Sequence, residues 1–156
     1  MQSAIFGDLI DAIAASFGAT GAEVRARSKC LSADVNAAYD PNFRDVCEPL
    51  NSTYLSCGAG ITKFTGARGK SGSNDASAEF MGEIRKLFND NGVIWQTGEL
   101  GKVDVGGGGT VAKFVANMNI DTVDIGVPVV SMHSPFEVIS KADLYEEYLA
   151  FRAFIK

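Results

Sequence analysis

Apolar residues recur three or four positions apart in four segments of the chain, the spacing typical of amphipathic helices. The first segment covers residues 3–17, and the third covers residues 111–118. The second begins after Asp75, its predicted N-cap, and the fourth begins at Ser140-Lys141-Ala142-Asp143, which resembles a capping box. In the fourth helix, the side chains predicted to face inward are Leu144, Tyr148, Phe151 and Phe154.

Shorter apolar runs between these helices predict strands. They cover residues 29–35, 60–65, 93–96, 102–105 and 122–130. Strands that alternate with helices form layered α/β domains with largely parallel sheets. We therefore predict one three-layer α/β/α domain over residues 1–156, with a largely parallel or mixed central sheet and no internal boundary.

The composition argues against several classes of protein. The formal net charge is −5 and the basic residues are scattered, whereas nucleic-acid binding needs clustered Lys and Arg. No apolar stretch approaches the roughly 20 residues of a membrane helix, and the first residues lack the basic start of a signal peptide. Three cysteines without CxxC spacing indicate reduced thiols. We expect a cytoplasmic protein that binds neither nucleic acid nor membranes.

Two glycine-rich segments suggest a nucleotide-binding alternative. Gly69-Lys70-Ser71 resembles the end of a Walker A loop, but Phe64 occupies the position where that motif requires glycine. Residues 107–112 do satisfy the dinucleotide pattern G-x-G-x-x-A, and Asp124 follows roughly where a ribose-binding acid would lie. Because a tight strand-to-helix turn also favours glycine, the pattern leaves nucleotide binding only as an alternative.

One pair of side chains suggests metal chemistry. The only histidine, His133, follows the apolar run 122–130, and Asp34 lies near the end of the first predicted strand. Open α/β sheets bind ligands at the carboxyl ends of their strands, so the two side chains could meet at one edge. Imidazole and carboxylate are zinc ligands, but two ligands do not complete a site. The structural alternatives are a hydrogen-bonded core histidine and an aspartate that caps a loop.

Four segments together resemble one enzyme family. Residues 32–43 (SADVNAAYDPNF) are similar to the Ser-Ala-Asp segment of the aspartyl aminopeptidases and their vacuolar relatives. Residues 123–134 (VDIGVPVVSMHS) resemble that family's Asp-x-Gly-x-Pro and Met-His-Ser signature. Residues 108–110 match its Gly-Thr turn, and residues 70–75 are similar as well. The order and spacing of the four segments agree with the family over essentially the whole chain.

The resemblance implies a metallo-aminopeptidase that removes amino-terminal residues from peptides with two metal ions bridged by water or hydroxide. It implies that Asp34 is a ligand of one ion and His133 a ligand of the other. Zinc is the expected metal, with cobalt and manganese as alternatives. The residues implied to border the substrate pocket are Gly107, Gly108, Gly109, Thr110 and Lys70, together with the loop 71–74.

The chain also departs from the family pattern. Family members carry a histidine, a bridging aspartate and a Glu-Glu pair, which includes the general base, upstream of the segment where this chain begins. We therefore expect the carboxyl-terminal portion of a catalytic domain, with no catalytic residue of its own and no activity in isolation. A smaller departure is Ala37, where some relatives have histidine. The expected partners are a peptide substrate and either further copies of the chain or the missing amino-terminal half. The alternative from another class is a non-catalytic, self-associating fragment.

Overall fold

The structure, a computed structural model, describes residues 3–68, 71–102 and 104–156. The helices are α1 (Ile5–Ser16), α2 (Gly21–Ala26), α3 (Ala78–Asp90), α4 (Ala112–Ala116) and α5 (Lys141–Ile155). The strands are β1 (Lys29–Ala37), β2 (Ala59–Thr62), β3 (Phe64–Ala67), β4 (Ser71–Asp75), β5 (Trp95–Thr97), β6 (Gly107–Gly108), β7 (Asp121–Val130) and β8 (Val138–Ile139).

The central sheet has the strand order β1-β7-β2-β5, and β8 pairs with β7 beyond this path. Strand β1 runs parallel to β7, β2 runs antiparallel to β7, and β5 runs parallel to β2. The sheet is therefore mixed, one of the two arrangements predicted. A smaller antiparallel sheet has the order β4-β3-β6.

The central sheet lies between two layers of different character, and the predicted α/β class is confirmed. On one side, α3 and α5 pack against the odd-numbered residues of β7, including Val123 and Ile125, around the buried ring of Phe88. On the other side, residues of the smaller sheet and of the segment before α4 approach the even-numbered residues of β7. Because both layers cover strand β7, its residues 122–129 are buried on both faces of the sheet.

The predicted strand over residues 102–105 is wrong. Its described members Lys102, Asp104 and Val105 lie in bends and turns, and the neighbouring strand β6 begins at Gly107. Many glycines surround this segment, and glycine weakens a strand because it has large backbone entropy and no side chain to pack. The predicted helix over residues 111–118 exists, but it is limited to the five residues of α4.

Two predicted helix starts differ in detail from the observed ones. Asp75 is the last residue of β4, and Ser77 caps α3 by accepting the backbone N–H of Phe80. Ser140 does precede α5, but its side chain makes no capping hydrogen bond, so the predicted capping box is absent. The carboxylate of Asp143, which would close the capping box, accepts hydrogen bonds from the backbone of Ser56 and Gly58 and not from the start of α5.

The buried face of α5 differs from the predicted one. Leu144 and Tyr148 are about half exposed, whereas Phe151 and Phe154 pack partly buried against the core, as predicted. The buried residues are Asp143, Glu147, Ala150 and Ala153. Asp143 is buried because its carboxylate accepts the backbone N–H groups of Ser56 and Gly58, at 2.7 and 2.8 Å.

Helix α1 forms where the apolar spacing predicts it, but it leaves most of its apolar side chains exposed. Only Ala14 in this helix is buried, and most of the amphipathic face stays exposed although α2 packs against the helix. The exposed members are Ile5, Phe6, Leu9 and Ile13, and Phe17 follows at the end of the helix. None of the described helices combines the length and apolar character needed to span a bilayer.

Candidate metal centre

The side of the central sheet away from α3 and α5 carries a row of polar side chains. Ser32 of β1, Asp124 of β7 and Thr62 of β2 are register partners, so their side chains project from the same face. All three residues are buried. In the next row on this face, Asp34 lies opposite Gly126. We call this surface the polar face.

Strand β1 continues to Ala37, beyond the predicted range of 29–35. Asp34 therefore lies three residues before the end of the strand. The residue is exposed, although Ser32 and Asn36 on the same face of this edge strand are buried. Its Oδ1 accepts the N–H of Val35 at 2.8 Å. The backbone of β7 approaches so closely that a methyl group on Gly126 would lie 2.2 Å from the carbonyl oxygen of Asp34. Glycine at position 126 therefore permits the pairing that places Asp34.

His133 lies in the loop that joins β7 to β8 and is exposed, so the alternative of a core histidine is wrong. Its φ is +69°, in the left-handed region that residues with a Cβ adopt uncommonly. The backbone N–H of His133 donates to Oε1 of Glu137 at 2.6 Å across the loop. Glu137 thus fixes the backbone that carries the imidazole, a role that the sequence argument missed.

Asp34 and His133 do not form a metal centre on their own. The register partner of Asp34, Gly126, is four residues before the end of β7, and His133 lies in the loop that follows β7, so the two residues are not register neighbours. Among the described residues, no group of three or more His, Cys, Asp or Glu side chains could hold a metal ion. Both donors are exposed and have the chemistry of zinc ligands, so each fits as one ligand of an incomplete site.

Residues 107–110, which we call the glycine turn, pack tightly against strands β3 and β4. A methyl group on Gly107 would lie 2.2 Å from the carbonyl oxygen of Gly66, and one on Gly109 would lie 2.9 Å from that of Gly72. Gly108 belongs to β6 with Gly107, and Thr110 Oγ1 accepts the N–H of Ala112. Close backbone approach therefore requires glycine at 107 and 109, whereas a methyl group on Gly108 would meet no other atom.

The nucleotide-binding alternative does not fit this geometry. The turn follows an antiparallel strand of two residues and leads into a helix of five, whereas a dinucleotide site needs a parallel βαβ unit. Lys70, the other residue implied to border a substrate pocket, lies outside the described residues.

A cleft of about 400 Å³ lies immediately before the glycine turn. It is lined by charged side chains of both signs, among them Lys63, Asp75, Glu99 and Lys102. Lys63 and Asp75 form an ion pair. Partial burial raises the pKa of Glu99, Asp75 raises it further, and Lys63 lowers it. The cleft therefore offers charges and hydrogen-bonding groups beside the turn.

Asp124 is the most unusual residue of the polar face. It is 4% exposed, and neither carboxylate oxygen accepts a hydrogen bond of ordinary geometry. Burial raises the pKa of Asp124, the approach of Thr110, Ser32 and Asn74 lowers it, and the charge of Asp34 raises it. From the sequence, Asp124 is a candidate ribose-binding acid and part of the family signature, and no motif indicates that it completes a metal site. The signal that could have identified it is an acid within an otherwise apolar strand.

Comparisons with known proteins agree on one family. Residues 2–155 match the model of the aminopeptidase I zinc metalloprotease (M18) family. A probable M18 family aminopeptidase 1 of Thermotoga maritima is 49% identical over 134 residues, which are 86% of this chain and 30% of that protein. The chain thus spans about a third or less of the relatives it matches.

Solved structures share the fold. The crystal structure of the M18 aminopeptidase from Thermotoga maritima superposes with a TM-score of 0.93 at 43% identity, over 99% of this chain and 36% of that one. A dodecamer of mApe1 from Saccharomyces cerevisiae superposes with a TM-score of 0.68 at 23% identity, over 86% of this chain and 28% of that one. The second comparison concerns the fold alone.

Proposed function

Because the chain belongs to the M18 family of aminopeptidase I zinc metalloproteases, we propose that it is the carboxyl-terminal portion of a zinc-dependent aminopeptidase catalytic domain. The observation that carries the proposal is the superposition of 99% of this chain on 36% of the Thermotoga maritima enzyme, at 43% identity. In this proposal, residues 1–156 contain no second domain. The general base, a glutamate, belongs to the part of the catalytic domain that the relatives have and this chain does not cover.

In this proposal, Asp34 holds one of two zinc ions and His133 holds the other. The exposure of both side chains and the backbone contact from Glu137 to His133 support the assignment. When bound, zinc acts as a Lewis acid toward the peptide carbonyl. Asp34 and His133 supply one ligand per ion, so further ligands must come from the rest of the catalytic domain. The isolated chain is then inactive.

The proposed substrate is a peptide with a free amino terminus. The cleft before the glycine turn supports this, because its Lys63, Asp75 and Glu99 offer partners for peptide groups and for a terminal amine. Gly107, Gly108, Gly109 and Thr110 then border the substrate with their backbone groups. Lys70 is included on the family resemblance alone.

The proposed partners are the remaining part of the catalytic domain and further copies of it. The exposed apolar side chains of α1 and the unpaired edge of β1 support an association of this kind. The same features favour the alternative of a non-catalytic, self-associating fragment. The three cysteines Cys30, Cys47 and Cys57 are free thiols, which supports a reducing, cytoplasmic compartment.

The test is a chimera in which this chain replaces the matching portion of the Thermotoga maritima enzyme. We expect zinc-dependent hydrolysis of aminoacyl anilides that EDTA abolishes. Asp34→Asn and His133→Gln should each lower bound zinc from about two ions to about one and lower kcat/KM by at least about a hundredfold, since each removes one ligand of a metal needed for the reaction. Asp121→Asn, an exposed change on β7, should leave both unchanged.

Two results would contradict the proposal. One is a folded chimera whose zinc content and activity survive loss of both Asp34 and His133. The other is EDTA-sensitive hydrolysis by the isolated 156-residue chain, which would overturn its assignment as an inactive portion. Light scattering of the isolated chain tests the association: a monomer at high concentration would argue against it.

A further inference from the structure

Two buried polar groups on the polar face lack partners and lie next to each other. Both carboxylate oxygens of Asp124 and the hydroxyl of Ser32 are buried without a hydrogen bond. The two residues are register partners on β7 and β1, where Cα atoms of neighbouring strands lie about 5 Å apart. An unpaired buried acceptor is costly, and a serine hydroxyl can rotate to donate to it.

Further hydroxyl groups converge on the same carboxylate. Thr62 is the register partner of Asp124 on β2, and Thr110 lines with them a small cavity of about 10 Å³. The hydroxyl oxygens of Thr62 and Thr110 already accept hydrogen bonds, from the side-chain amide of Asn36 and the N–H of Ala112. Their hydroxyl protons therefore remain available to donate.

We propose that Asp124 is a positioning residue whose carboxylate is the common hydrogen-bond acceptor for Ser32, Thr62 and Thr110, and so holds the glycine turn against the strand that carries Asp34. Ser32 precedes Asp34 by two positions on the same face of β1, and Thr110 ends the glycine turn. The carboxylate thus joins two segments that are more than 70 residues apart in the sequence. Asp124 does not touch substrate in this arrangement.

The consequence for function rests on the function proposed above. If Asp34 holds zinc and the turn borders the peptide, the distance between metal and substrate depends on Asp124. A carboxylate suits this position better than an amide, because its two oxygens accept several hydrogen bonds and donate none when ionised. The hydrogen bonds proposed for the carboxylate of Asp124 do not depend on bound zinc.

Amide hydrogen exchange in the intact chain tests these hydrogen bonds. Asp124→Asn is compared with Asp121→Asn, an exposed change on the same strand. We expect exchange to accelerate about tenfold or more at the N–H groups of Asn36, which faces β7, and Ala112, since a charge-assisted hydrogen bond is lost beside both segments. Exchange at Ile84 and Phe88 in α3 should change much less, and Asp121→Asn should change neither region.

A uniform acceleration over the whole chain would mean that Asp124 contributes only to global stability and would overturn the proposal. Unchanged exchange at Asn36 and Ala112 would overturn it as well. If Asp124→Asn does not fold, Ser32→Ala and Thr110→Val test the same link from the donors. Their effects on the exchange at Asn36 and Ala112 should be non-additive in the double variant, and additive effects would contradict a shared acceptor.

The enzymatic consequence is measured separately in the chimera. Asp124→Asn should raise KM or lower kcat with zinc content retained, and Asp124→Glu should not rescue it because the longer side chain has no room. Loss of zinc with unchanged kinetics per bound zinc would contradict the positioning role. Failure of the chimera to bind zinc at all would count against the proposed function and leave the exchange result intact.

Discussion

The two faces of the central sheet differ in what holds them together. On the helix side, Val123 and Ile125 of β7 pack against α3 and α5, and the stabilisation comes from apolar area removed from water. On the polar face, Asp124 and Thr122 are equally buried, yet they are surrounded by hydroxyl and amide groups. Burial of this kind is stabilising only if every polar group has a partner.

The difference shows how one strand can serve both stability and chemistry. Successive residues of β7 point to opposite faces, so alternate positions meet different physical demands. The apolar positions need volume and shape, which several residues can supply. The polar face needs hydrogen-bonding groups at fixed places. It also needs a residue without a side chain at Gly126, where a methyl group would meet the carbonyl oxygen of Asp34. We therefore expect substitutions on the helix side to change mainly stability, and substitutions on the polar face to change local geometry as well.

The largest effect is expected in the helix-side core. Phe88→Ala removes a fully buried ring of α3 and should lower the free energy of unfolding by about 3–5 kcal/mol. Phe136→Ala removes a ring that is 84% exposed and should change it by less than about 0.5 kcal/mol. Urea denaturation with a shared m-value measures both. Similar losses in the two variants would contradict the assignment of the core.

A smaller effect is expected where the polar face needs close backbone approach. Gly126→Ala should cost about 1–3 kcal/mol, because the added methyl group meets the carbonyl oxygen of Asp34. Gly82→Ala lies on the exposed side of α3 with no atom near the added methyl group, and should stabilise by about 0.5–1 kcal/mol. The two alanine substitutions should therefore change the denaturation midpoint in opposite directions. An unchanged midpoint for Gly126→Ala would show that β1 and β7 can move apart to admit the methyl group.

The smallest effect concerns a buried carboxylate on the helix side. Burial in α5 raises the pKa of Glu147 from 4.5 to about 7. The folded protein then binds a proton more tightly than the unfolded chain, so the stability that this group contributes is present below pH 4.5 and is lost as the pH rises to about 7. Glu147→Gln should flatten this part of the pH profile of the melting temperature and raise the melting temperature at pH 8.

The matched control for this change is Glu79→Gln, at an exposed position of α3. It should leave the pH profile unchanged. Burial also raises the pKa of Asp124, so some dependence in the same direction should remain in Glu147→Gln. A profile that is unaffected by Glu147→Gln would show that this carboxylate is hydrated in the folded state.

The fold class, most helices and the long strands could be predicted because their signals are local. Helical spacing identified α1, α3 and α5, and the apolar run before His133 identified β7. The short helix α2 was missed, although Thr20 and Glu23 form a capping box that the sequence displays. The strand predicted over residues 102–105 was wrong, because the apolar residues there are too few to outweigh the surrounding glycines.

The candidate metal ligands could be named from the sequence, but their positions relative to one another could not. The segments around Asp34 and His133 identified both residues by resemblance, and their roles as metal ligands remain a proposal. Their separation along the sheet depends on the register of β1 with β7, which pairs residues about 90 positions apart. No local signal specifies that register, because it is decided by packing on both faces of the sheet.

Periodicity depends on neighbours along the chain, so it predicts the α/β class without any structure, and the motifs at 32–43 and 123–134 are enough for the resemblance to the family. No local pattern indicates that β1 is an edge strand, that Asp124 is buried among hydroxyl groups or that α1 exposes its apolar side chains. These features depend on contacts between distant segments, whose free energies come from burial and hydrogen bonding in three dimensions and not from local propensity.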